Sequence, residues 1–192
     1  MNVPLDKTIL WLGYGGLVPF VGLAVLIWLV PPQLRAFVAL SLVAYGALIA
    51  SFLGGVHWGT GFLMGEAAPR MQFVWGIVPS LLGWLALLLP VRAGLPVLAV
   101  LLLACYGVDR TTYPAVGLGR WLPMRLQLTG VAAASCALAA IRVWIRGADR
   151  PGCRGGRPTG AVEYSFAIAA GFFHDKKNSP HASCRRACPL PH

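Results

Sequence analysis

Charge is what this sequence has least of. Only 11% of its 192 residues are charged, and only six are acidic. An average soluble domain carries about 25% charged residues. A water-exposed surface could not be solvated with so few, whereas lipid tails accept apolar side chains. Short acidic supply also rules out a rich choice of general acids and bases. The five cysteines are an odd count, with Cys105 and Cys136 inside apolar runs and Cys153, Cys184 and Cys188 near the C-terminus. No disulfide framework follows from that spacing. No cofactor-binding residues emerge: Gly54-Gly55 neither follow a strand nor open a fresh helix, so they are no phosphate loop. The set Cys184, Cys188, His181 and His192 lacks the ordered turns of structural metal sites. No metal or cofactor is therefore expected. No catalytic residues are expected either, since nothing in the sequence brings Asp109 or Ser80 to His57. The first apolar run ends in Leu-Val-Pro-Pro, without the small-residue cleavage site of a signal peptide.

What the chain has instead is apolar length. Hydrophobic residues make up 57%, and seven Trp and five Tyr suit the two membrane interfaces. The net charge of +10 does not form a concentrated basic face. Through residue 146 it comes from nine Lys and Arg scattered singly between apolar runs, against three acids. That pattern fits juxtamembrane contact with lipid headgroups and excludes nucleic acid as a partner. The lipid bilayer is the expected surrounding.

The runs predict an all-α fold, an integral membrane bundle of five helices at about 8–30, 36–64, 71–89, 95–108 and 123–145. Pro19 predicts a kink in the first. Pro31-Pro32 stops it. Gly46, Ala50 and Gly54, then Gly55 and Gly59, give the second span the small-xxx-small spacing of tight helix contact. Pro79 leaves the Trp75 carbonyl in the third span without its helical donor. The fourth run has fourteen residues and rises only about 21 Å, which places Asp109 and Arg110 near an interface. Residues 109–122 then read as a headgroup-anchoring loop of Arg and aromatics. Arg142 and Arg146 close the fifth span and can snorkel. The domain boundary falls at 146. Residues 147–192 change to Gly, Pro, Arg, Lys and Cys, a composition that predicts a disordered basic tail. Basic residues number five on the N-terminal side and seven on the other, a lean toward a cytoplasmic C-terminus.

The densest stretch is Ser51-Phe52-Leu53-Gly54-Gly55-Val56-His57-Trp58-Gly59. An ionisable residue inside a span is expensive and marks function by default. Its bland alternative is a neutral imidazole bonded to a carbonyl that Pro19 or Pro79 has freed. Helical spacing puts Gly46, Ala50, Gly54 and His57 on one inward face, opposite the first or third span. The candidate functional or helix-packing residues are Gly54, Gly55, His57, Trp58, Gly59, Pro79, Ser80, Asp109 and Arg110.

These residues carry a resemblance. The nine-residue stretch, Val78-Pro79-Ser80-Leu81 and Asp109-Arg110 resemble the family of transmembrane protein 69, a domain of unknown function. Gly13, Pro19-Phe20 and Arg125-Leu126-Gln127-Leu128-Thr129 are similar to its first and last spans, so the likeness covers about residues 8–145. It departs at Leu122, where a second aromatic is expected after Trp121, and it has no counterpart to the tail. The resemblance implies an integral protein of the bacterial inner membrane, with relatives in mitochondria, and no established activity. The leading expectation is a non-enzymatic accessory or assembly factor that meets another membrane protein or complex through its Gly-rich faces. The alternatives are a small transporter or channel with His57 in a polar path, and a small-ligand binder using its Trp residues.

Overall fold

The computed structural model describes residues 7–148. Within them the chain is helical, without a strand, and five helical stretches are long and apolar enough to cross a membrane. The first is split into α1 (Lys7–Gly15) and α2 (Val18–Leu29). The others are α3 (Pro32–Met64), α4 (Arg70–Leu88), α5 (Val91–Thr112) and α6 (Leu122–Ala148). The last helix runs two residues past the expected boundary at 146. The remainder of the expected tail lies outside the described residues.

The prolines act as their chemistry requires, and polar side chains answer for the carbonyls nearby. The first span breaks at Gly16-Leu17, just ahead of Pro19, which sits in the opening turn of α2. Proline is tolerated there because the first N–H groups of a helix have no partner to lose. The Tyr45 hydroxyl, reaching across from α3, donates to the Gly16 carbonyl at 2.9 Å. Pro96 lies inside α5 and cannot donate to the Arg92 carbonyl. The Trp144 indole donates to that carbonyl at 3.2 Å.

The fourth span differs from the expectation. It is not a fourteen-residue stub but a helix of 22 residues, about 33 Å long. Val91–Gly94 and Asp109–Thr112 extend it at both ends. Hydropathy missed these turns because Arg92, Asp109 and Arg110 interrupt the apolar run while leaving helix formation intact.

α3 lies among the other spans. Its expected inward face is as predicted: Gly46, Ala50, Gly54 and His57 are all buried. A Cβ on Gly46 would press on Leu98 of α5 at 3.0 Å and Phe20 of α2 at 3.6 Å. A Cβ on Gly54 would collide with the Gly76 carbonyl of α4, so the two backbones touch there. The core around α3 includes Phe20, Ile27, Leu42, Leu95 and Leu98, all shielded almost completely. The outer faces are apolar as well: Trp11, Phe52, Leu63 and Val100 are largely exposed, as side chains facing lipid tails are free to be. Arg142 lies over the Trp28 ring, 4.9 Å from its centroid, and ties α6 to α2 by a cation–π contact.

Candidate functional site

Three helices end near one another on the side where the chain begins. Each supplies one ionisable residue. His57 is one and a half to two turns from the end of α3, Asp109 is in the last turn of α5, and Arg125 is in the first turn of α6. His57 Nε2 lies 2.9 Å from Asp109 Oδ1. Arg125 Nε donates to Asp109 Oδ2 at 2.9 Å, and its Nη2 donates to the same oxygen. The side chains of His57, Asp109 and Arg125 are 2%, 1% and 14% exposed. A carboxylate so enclosed would cost several kcal/mol if left unpaired. Here both its oxygens are occupied, and the guanidinium balances its charge. Facing a carboxylate oxygen, which can only accept, His57 Nε2–H donates to Oδ1.

A second layer holds the trio. Tyr113, just past α5, is buried. Its ring stands 6.1 Å from the His57 ring. The Thr60 hydroxyl donates to the His57 carbonyl at 3.0 Å, and Gln72 of α4 donates to that hydroxyl at 2.6 Å. This chain links α4 to the turn of α3 that carries His57. The Trp58 indole donates to the Phe73 carbonyl at 2.9 Å and covers Gly76 from the other side.

Several expectations are corrected by this geometry. The partner of His57 is the Asp109 carboxylate, not a carbonyl freed by Pro19 or Pro79. Asp109, in the last turn of α5, is buried within the bundle, and Tyr113 is buried with it. The folded chain does bring Asp109 to His57, across 52 residues of sequence. Arg110 is exposed and takes no part. Gly54 packs as a contact glycine, but Gly55 and Gly59 are exposed, with no atom within 4 Å of an added Cβ. Pro79 is buried inside α4 and Ser80 is half-buried beside it. No hydrogen bond or ion pair joins either to the trio among the described residues.

Arg125 is the residue that sequence reasoning missed. In the sequence it stands out only as the first residue of the last-span likeness. A signal was available: among residues 7–148 the acids are Glu66 and Asp109 alone, and an acid flanked by apolar helix needs a cation. Arg125 is the next basic residue but one after Arg110. Among the described residues no three His, Cys, Asp or Glu side chains cluster as a metal site. His57 and Asp109 supply two potential ligands, and Arg125 occupies the second carboxylate oxygen. Residues His181, Cys184, Cys188 and His192 lie outside the described residues.

A cavity of about 530 Å³ adjoins the trio. It is walled by the first span, α3 and α6, and Tyr113 and Arg125 lie on its surface.

Comparison with known proteins agrees with this architecture. Transmembrane protein 69 of Xenopus tropicalis is 43% identical over 106 residues, covering 53% of this chain and 40% of that protein. The chain thus matches well under two thirds of its relative's length. No solved structure matches it. The family model with the description "Protein of unknown function (DUF3429)" matches residues 5–141. The chain is an integral membrane protein, and it belongs to that family.

Proposed function

We propose that the protein is a non-enzymatic accessory or assembly factor that binds another membrane protein or complex through an outer face of α3. The observation that carries this reading is the open stripe Leu48, Phe52, Gly55, Gly59 and Leu63. The three large side chains are 68%, 67% and 89% exposed, and a Cβ added to either glycine would meet no atom within 4 Å. Small residues flanked by large ones form a groove into which a partner helix can settle. The inward glycines Gly46 and Gly54 of the same helix already pack against other spans, which leaves Gly55 and Gly59 open to a partner. The non-enzymatic part rests on the trio. Asp109 is engaged through both oxygens, and among the described residues no hydroxyl or thiol is hydrogen-bonded to the His57 ring as a nucleophile would be. We place the protein in the bacterial inner membrane, on the family resemblance.

The test is affinity purification of tagged protein from native membranes, with wild type and Gly59→Leu in parallel. The expected result is a stoichiometric companion with wild type that the variant loses while remaining folded. Identical recovery of all companions by both proteins would refute the role of this face. The alternative, a small transporter or channel with His57 in a polar path, draws on the buried ionisable trio. Against it stand the shielded side chains of Leu42, Leu95 and Leu98, which fill the core. Proton flux in liposomes that His57→Gln abolishes would favour it.

A further inference from the structure

The cavity beside the trio has the size of a ligand site. Its volume of about 530 Å³ falls within the ~300–1,000 Å³ usual for small-molecule pockets. Most of its wall is apolar, with Leu12, Phe20, Phe52, Val56 and Leu128 among the lining residues. The polar residues on it are few: Tyr113, Trp121, Arg125 and Thr129.

Two of those four can only donate. A guanidinium has five N–H groups and no acceptor, and an indole has one N–H and no acceptor. Asp109 is bonded by Arg125 Nε and Nη2, which leaves Nη1 outside that pairing. Trp121 Nε1 is buried and has no hydrogen-bond partner among the described residues. A buried N–H left without a partner destabilises the fold unless a ligand supplies the acceptor. The cavity therefore combines a long apolar wall with the edge of the Arg125 guanidinium and an indole N–H that lacks an acceptor.

We infer that this cavity binds a long-chain fatty acid. Its carboxyl head accepts hydrogen bonds from Arg125 and Trp121, and its tail lies against Phe20, Phe52 and Val56. A carboxyl oxygen is an acceptor in either protonation state, so the match does not depend on adding a second negative charge. An amine head, which carries only donors when protonated, would place a positive charge against the guanidinium and leave Trp121 unsatisfied. A methyl-terminated chain without a head would fill the wall and satisfy neither donor.

The experiment uses the full chain in phosphatidylcholine nanodiscs and 9,10-dibromostearate as a quencher of tryptophan fluorescence. The expected signal is a saturable component above the background from bulk lipid, displaced by stearate and not by stearylamine at equal mole fraction. Val56→Phe fills the cavity and leaves every polar group in place, and it should weaken the saturable component at least tenfold with circular dichroism unchanged. Quenching that rises in proportion to mole fraction, with no saturation, would mean annular lipid only and would overturn the inference. Equal displacement by stearylamine would overturn it as well. That displacement is read on wild type, so the inference stays testable if Val56→Phe fails to fold.

Discussion

Removing Arg125 should expose what the trio contributes to the bundle. In Arg125→Gln the Asp109 carboxylate, 1% exposed, loses its balancing cation and two charge-assisted bonds to Oδ2. His57 still bonds Oδ1 but leaves the other oxygen bare. Breaking a buried ion pair from one side costs about 3–5 kcal/mol. Whole-domain stabilities are only about 5–15 kcal/mol, so this is a large share. At about 2–4 °C per kcal/mol for a chain of this size, the midpoint of thermal unfolding in nanodiscs should fall by about 6–20 °C. Asp109→Asn alone removes the charge that Arg125 answers and should also destabilise. The double variant Asp109→Asn, Arg125→Gln leaves two neutral amides in hydrogen-bonding reach, with no buried charge. Its loss should be smaller than the sum of the single losses by about 2 kcal/mol, within the range of coupled neighbours. Additive losses, or an Arg125→Gln midpoint within about 2 °C of wild type, would refute the account of Asp109 as a carboxylate held by its cation.

Two further outcomes follow from the same geometry. His57→Gln should lower the unfolding midpoint far less than His57→Leu, because an amide N–H can replace Nε2–H on Asp109 Oδ1 and leucine cannot; equal losses would mean that the bond at 2.9 Å contributes nothing. Gly54→Val should sharply reduce the yield of folded protein in membranes, since its side chain collides with the Gly76 backbone, whereas Gly55→Ala, which meets open space, should melt within about 2 °C of wild type.

The sequence by itself determined the helical class, the number of spans and the inward face of α3. Those properties depend on apolar run length and helical periodicity, which are local and additive along the chain. The burial of Gly46, Ala50, Gly54 and His57 was legible because positions three and four apart share a helix face. The break ahead of Pro19 was legible because a missing N–H is a property of one residue. Tertiary structure alone decided which glycines are contacts. Gly54 and Gly55 are neighbours in sequence, yet a rotation of about 100° on the helix turns one onto Gly76 and the other outward. It also decided the partner of His57. Asp109 falls outside the fourth span when that span is measured by hydropathy, because charge ends an apolar run without ending a helix. Only when α5 keeps its last turn, and α6 starts beside it, does the Asp109 carboxylate meet His57 and Arg125 at once. Pairing across 52 and 16 residues is set by how helices pack against one another, and no local pattern carries that information.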